Sequence, residues 1–321
     1  MSRAREFADL AGSAEAGGLT GRNLIINGAM QVAQRGNVAV TQAATAYGGA
    51  DRWLMYPNIP GSGSSTIAQT AVTWTESKFA QGFTATTTLS GGEMLFIQRI
   101  ESKNTSHLAN NKVTLQFKLA HDVGSTLTVQ LLLQRPTTTA DDFSAATNFL
   151  GATTIGTCPT GTSSGTLFTY TSNTLTSADV SKGFQIQIRV LTASAVTNKN
   201  FYLGDVQLEV GEQATPFEHR SFGEELQLCQ RYYFKWDELI SNAAELWGMQ
   251  TVALGSTYVR TAVSFPVKMR TTPSAANITY NSTSGAVGAQ LITQNGCTLF
   301  ANPTLGGSGY FNSNWAMDAE L

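Results

Sequence analysis

The sequence predicts an all-β protein: a jelly-roll-like β-sandwich with an N-terminal anchoring peptide, one linking helix and a small C-terminal β domain. Three observations carry that expectation. Only 13% of the 321 residues are charged, about half the share of an ordinary soluble domain. In place of charge stand 42 threonines and many Ser, Asn and Gly, and threonine suits pleated, half-wet surfaces. Residues 113–119, 127–131 and 184–190 alternate apolar and polar side chains without an error, which gives each strand one buried and one wet face. Between strands run Thr/Ser/Gly/Asn stretches at 59–66, 136–148 and 151–166, which read as loops. Strands so separated form a sandwich or jelly roll rather than βαβ units.

In chain order, residues 1–22 read as a separate tail. Ala4, Phe7, Ala8, Ala11 and Ala14 fall at helical spacing among charged residues, and the glycines after Ala16 end the pattern. So short a helix is unstable alone in water; it either docks on a partner through Phe7 and Leu10 or frays. Residues 23–220 hold the sandwich strands. At 201–210 the alternation slips at Gly204-Asp205, the mark of a bulge. Ser221-Phe-Gly-Glu224 is a capping box, and Leu226, Cys229 and Tyr233 follow at helical spacing, so the linking segment 221–236 is expected to be a helix over 222–236. Residues 237–321 are expected to form a small β tip, with alternation at Val259, Thr261, Val263 and Phe265 and again from Phe311 to Ala319. A core of that size is marginal alone.

Several classes of chemistry find no support. A net charge of -2 gives no footprint for a phosphate backbone, so nucleic acid is not expected as a partner. The N-terminus lacks the apolar core of a signal peptide and no run is long enough to span a bilayer, so membrane insertion is not expected. Cys158, Cys229 and Cys297 are too few and too far apart for a disulfide framework or a zinc site, and read as free thiols in cores. Gly161-Thr-Ser-Ser-Gly165 fits G-x-S-x-G, but a nucleophile elbow needs a strand before it and a helix after it, and neither is indicated. His107, His121 and His219 have no partner at metal-ligand spacing and are expected on loops or the surface. The pairs Asp141-Asp142 and Glu224-Glu225 are chain neighbours, the second explained by a helix first turn. No catalytic residue, metal or cofactor is therefore expected. Trp247, Tyr258, Tyr310 and Trp315, set among Asn, Ser and Thr, are the candidate carbohydrate-binding residues, because sugars need aromatic platforms beside uncharged hydrogen-bonding groups. Trp315 shares its phase with Phe311, Met317 and Ala319 and so also fits the core, whereas Tyr310 points the other way.

Two segments carry more than pattern. Asn23-Leu-Ile-Ile-Asn-Gly-Ala-Met-Gln-Val-Ala-Gln-Arg-Gly36 with Asp51-Arg-Trp53 opens the sandwich, and Val206-Gln-Leu-Glu-Val-Gly-Glu-Gln-Ala-Thr-Pro-Phe-Glu218 with Arg220 and Glu225 through Tyr233 closes it. Both resemble a family of tail-fibre and receptor-binding proteins of tailed bacteriophages and prophages, whose β-sandwich is similar to carbohydrate-binding modules. The resemblance covers about residues 22–236. It implies a virion component on the particle exterior, usually a homotrimer, whose residues 1–22 attach to a phage tail, baseplate or capsid protein and whose sandwich or tip meets host polysaccharide. A capsid, neck or baseplate decoration protein without a specific ligand is the alternative, and a glycan depolymerase a third. The motif residues Asn27, Gly28, Asp51, Arg52, Trp53, Glu209, Glu218, Arg220, Arg231 and Tyr232 are expected to be structural. Gly28 would supply the unusual dihedral of an Asn27-Gly28 turn. Asp51 and Arg52 would pair beside a core Trp53, and Glu209 and Glu218 would meet arginines such as Arg35 or Arg220.

Overall fold

Alternating side chains that bury one face of a strand need a second sheet to cover them, and the chain supplies it. The computed structural model describes residues 21–41, 44–58, 64–86, 92–236, 251–252, 259–276, 287–301, 308–309 and 315–321. Among these, twelve strands precede residue 211: β1 (Val38–Thr41), β2 (Ala46–Tyr47), β3 (Leu54–Asn58), β4 (Ser64–Ala71), β5 (Phe79–Ala85), β6 (Gly92–Ile100), β7 (Val113–His121), β8 (Leu127–Pro136), β9 (Ala146–Cys158), β10 (Gly161–Thr171), β11 (Phe184–Thr192) and β12 (Lys199–Val210). They form two six-stranded antiparallel sheets, ordered β1-β4-β5-β12-β7-β10 and β2-β3-β6-β11-β8-β9. The expected all-β sandwich is therefore the observed fold.

Between the sheets lie Phe83, Phe117 and Phe201 from the first and Trp53, Phe96 and Phe184 on the side of the second, all fully buried. Each such side chain stabilises the fold by about 1.5–3 kcal/mol relative to exposure. The alternation in 184–190 becomes β11, which pairs without a slip with β6 on one side and β8 on the other. The expected bulge is present in β12, whose register against β7 shifts between Gly204 and Gln207, with Asp205 at φ +49°.

Three expectations change. The stretch at 151–166 is not a loop for most of its length, because it supplies much of β9 and β10, the end strands of the two sheets, whereas 136–148 is a loop over 137–145 and joins β8 to β9. Both faces of these strands are largely wet, so Thr fills them without the apolar alternation that marks a strand in sequence. Residues 64–66, likewise expected in a loop, open β4. His121 is buried rather than at the surface, because it continues the inward phase of Val113, Leu115, Phe117 and Leu119 on β7.

Three short helices are described: α1 (Ser102–Thr105), α2 (Ser177–Val180) and α3 (Phe222–Gln230). The α3 amide of Glu224 donates to the Ser221 hydroxyl at 3.3 Å, as the capping sequence requires. The helix stops at Gln230 instead of 236. Aromatic, β-favouring residues follow, and 233–236 become strand β13 (Tyr233–Trp236).

The chain divides into two compact units, Met1–Glu225 with Leu321, and Leu226–Glu320. In the second, the described strands after β13 are β14 (Thr251–Val252), β15 (Val259–Ser264), β16 (Ser274–Ala276), β17 (Val287–Gln290), β18 (Gly296–Ala301), β19 (Ser308–Gly309) and β20 (Trp315–Asp318). They pair as β13-β20-β16, β14-β19 and β15-β18-β17 around a core that includes Phe234, Phe265, Met269, Leu299 and Met317. The three cysteines are buried and form no disulfide.

Candidate functional site

The two motif segments meet along one seam of the sandwich. Leu24 N–H donates to the Leu208 carbonyl at 2.8 Å, and the Asn23 amide bridges Val206 O at 3.1 Å and Leu208 N–H at 3.1 Å. The Glu218 carboxylate accepts the amides of Gly21 and Asn23 at 2.5 and 2.7 Å. Arg220 donates to the carbonyls of Ile25 and Asn23 and pairs with Glu225 at 3.4 Å, while Glu225 accepts the Asn27 amide at 2.5 Å. Burial pushes the Glu225 carboxyl above its ordinary value, against the Asn27 amide and the Arg220 charge that favour the ion. Asn27 is fully buried, with its side chain on Val32 and the Asp51 carbonyl, and its own carbonyl receives the Trp53 indole N–H at 3.1 Å.

Three expectations about these residues are corrected. Asn27 itself takes the left-handed conformation, φ +58°. Gly28 is needed for space instead, since a Cβ there would run into the Val206 carbonyl. Asp51 does not rest on Arg52: it accepts Gln34 N–H and Nε2–H at 3.0 and 2.6 Å and Arg35 N–H at 3.4 Å. Burial raises its carboxyl, with the Arg35 charge the largest opposing influence. Arg52, at φ +73° and 1% exposed, donates to the Arg99 carbonyl at 2.7 Å. Glu209 accepts Thr215 N–H and Oγ1–H at 2.7 Å and Gln207 Nε2–H at 3.0 Å, and Glu218 accepts main-chain amides, so amides and a hydroxyl stand where arginines were expected. In the second unit Arg231 lies 5.9 Å from the ring of the buried Tyr232. Main-chain amides and carbonyls of the seam are the principal partners of Asn27, Asp51, Glu218 and Arg220.

The outer face of the second sheet has a different character. Inward phases of β6, β11 and β8 carry the core, so Arg99, Gln185, Gln187, Arg189 and Gln134 project outward. Arg99 Nε–H donates to Gln185 Oε1 at 2.7 Å. Gln185 and Gln187 both donate to Gln134 Oε1, the latter at 2.7 Å, and Gln134 Nε2–H donates to Asn148 at 2.8 Å. A hydrogen-bonded row therefore runs across four strands. Beside it Arg189 Nε–H donates to Glu93 at 2.7 Å, and Tyr47 and Tyr56 flank an apolar step of Leu54, Leu95 and Ile97. Arg99 and the Tyr47 hydroxyl also hold the main-chain oxygen of Leu321, which belongs to this unit. Gln185 and the apolar step are buried, so what this face opens to solvent is the half-buried Arg99, Gln134, Gln187, Arg189, Tyr47 and Tyr56 with the exposed Asn148, donors and acceptors beside aromatic rings of the kind a hydroxyl-rich ligand requires.

Of the sequence-derived carbohydrate candidates, Trp315 opens β20 opposite Trp236 of β13. Trp247, Tyr258 and Tyr310 lie outside the described residues, as do Phe7 and Leu10. Among the described residues no group of three or more His, Cys, Asp or Glu is placed to hold a metal, and no helix is long and apolar enough to cross a membrane.

No described protein family matches the chain, and no curated protein does. Among solved structures the chain is similar to a CBM4 module (16% identity, 50% of this chain and 95% of that one, TM-score 0.30). It is also similar to a xylan-binding domain of CBM22 (12%, 55% and 99%, TM-score 0.35) and to a candidate sugar-binding protein from Bacteroides thetaiotaomicron (15%, 59% and 100%, TM-score 0.39). The two-sheet fold stands on its own strand pairing.

Proposed function

We propose that the chain is a fibre or spike component of a tailed-phage particle that binds host-surface glycan through the outer face of its second sheet. The observation that supports glycan binding is the hydrogen-bonded row Arg99, Gln185, Gln134 and Asn148, with Gln187 joining it and tyrosines beside it. Amides donate and accept, and so do sugar hydroxyls; a row already oriented by its own bonds loses little side-chain entropy on binding. The particle role rests on the resemblance of the two seam segments to phage fibre proteins, with residues 1–22 as the attachment to a tail, baseplate or capsid protein. Assembly as a homotrimer would give three weak sites one avid attachment. Its support is the run 143–178, which contains no charged residue and forms the end strands β9 and β10; natural monomers usually place charge on such edges.

The test is binding of the purified chain to intact host cells and to a glycan array, with Gln187→Ala and Tyr56→Ala as variants, alongside sedimentation. The expected result is a trimer retained on at least one surface polysaccharide, with each variant weakened about tenfold. Absence of retention on every polysaccharide would leave the decoration reading.

A further inference from the structure

The loop 72–78 that joins β4 to β5 does not stand off the molecule but folds back over the outer face of the first sheet. Four bonds hold it. The bulge carboxylate Asp205 accepts the Glu76 amide through both oxygens at 3.0 and 3.1 Å, and Lys118 of β7 donates to the Trp74 carbonyl at 3.1 Å while pairing with Asp205 at 2.9 Å. The Ser77 hydroxyl donates to the Ala29 carbonyl. The Trp74 indole N–H donates to the Thr162 carbonyl at 3.1 Å.

These bonds lay the indole across three adjacent strands. A Cβ at Gly165 of β10 would meet ring atom Cε3 at 2.5 Å, and one at Gly204 of β12 would meet Cζ3 at 3.5 Å, with Lys118 of β7 between them. Cβ directions at outward positions point out of the sheet, so the Cε3–Cζ3 side of the ring lies over both glycines and is committed to the sheet. Trp74 is nonetheless only half-buried, and Thr73, Thr162, Ser163 and Ser164 around it are exposed. Four devices are assembled here: a bulge with a left-handed Asp205, two glycines under one ring, a neutralised Lys118–Asp205 pair and an anchored indole N–H. They fix the orientation of a tryptophan that the core does not use.

We infer that Trp74 is a stacking platform for one neutral pyranose ring, forming a second glycan subsite on the first sheet, separate from the amide row on the second. A flat indole matches the apolar C–H face of a pyranose, and the Thr/Ser rim supplies exchangeable hydroxyl partners for its equatorial oxygens. Prior fixing of the ring by the sheet reduces the ordering cost of binding. The charged pair under the loop is internally compensated, which matches an uncharged ligand.

The test uses the full chain with gluco-, galacto- and xylo-hexaose as probes, measured by calorimetry for wild type, Trp74→Phe, Trp74→Ala and Gln187→Ala. At least one hexaose is expected to bind, with Trp74→Ala weakened about tenfold and Trp74→Phe much less. Oxidation of Trp74 by N-bromosuccinimide, mapped by peptide mass, should slow when that hexaose is present; this readout uses the wild-type protein and is unaffected by any loosening of the loop in the variants. Equal affinity of Trp74→Ala and wild type, or no protection of Trp74 from oxidation, overturns the inference. A loss confined to Gln187→Ala would leave the second-sheet reading standing and remove this one, and a loss confined to the Trp74 variants would do the reverse.

Discussion

A Cβ at Gly28 would run into the Val206 carbonyl, whereas one at Gly223 in α3 meets nothing within 4 Å. The same substitution should therefore have opposite signs at the two positions. Gly28→Ala must push β12 from the opening turn and is expected to cost about 2–4 kcal/mol. Gly223→Ala trades backbone entropy for helix propensity and should stabilise by up to about 1 kcal/mol. Urea melts of the two variants beside wild type check both. His121 sets a pH dependence. Its Nδ1 accepts the Val123 amide at 3.3 Å and its Nε2 lies 3.1 Å from the Cys158 carbonyl, an arrangement that a neutral ring satisfies. Burial lowers its pKa from 6.5, against the Cys158 carbonyl and the Asp122 charge. The unfolded chain then binds the proton more readily, so this contribution is complete above pH 6.5 and is lost as pH falls through that value toward the lowered folded one, by at most about 1.4 kcal/mol per pH unit. The buried carboxyls of Asp51, Asp205 and Glu225 are raised instead and act in the opposite sense, gaining stability as acid protonates them. Melts at successive pH values should show the loss near pH 6 in wild type and not in His121→Gln; identical profiles would rule out the assignment.

Strands with one wet and one buried face are legible because burial writes a period of two into the sequence, which is why β7, β8 and β11 were identifiable from residues 113, 127 and 184 onward. Strands at the sheet ends escape this signal. In β9 most residues are exposed or half-buried and the register against β8 slips three times, so Thr and Gly there read as loop. The buried place of His121 could have been found by continuing the β7 phase by one more step. The candidate site was less legible for a physical reason: Gln185, Gln187 and Arg189 are simply the polar half of an alternating strand, and only the lateral pairing of β6, β11 and β8 turns them into a row. Trp74 gave no signal because its partners, Gly165 and Gly204, lie far away in the chain and are brought together by the sheet. The uncharged end strands make their own prediction. Thr154→Lys in β9, an exposed position opposite Gln130, with Leu167→Lys in β10, the latter residue 60% exposed, should abolish self-association while leaving stability within about 0.5 kcal/mol of wild type. Sedimentation of the double variant as an unchanged trimer would mean that copies meet elsewhere.

At the scale of the molecule, the low charge and the division into two units bear on how the chain unfolds. The first unit has a core drawn from both sheets and closed by the seam of Asn23, Asn27, Arg220 and Glu225. The second has a separate and smaller cluster around Phe234, Met269 and Met317. Surface burial scales with size, so the smaller core should be lost first. Unfolding with two separate cores is not expected to be a single all-or-none step. Calorimetry should resolve two transitions. Met317→Ala, at a fully buried position, should lower the first by the equivalent of about 2–5 kcal/mol, and Ile188→Val in β11 should lower the second by about 0.5–1.5 kcal/mol. Each substitution should leave the other transition in place, because distant sites in different cores do not share partners. One transition that both substitutions shift together would show instead that the two cores melt as a single cooperative body.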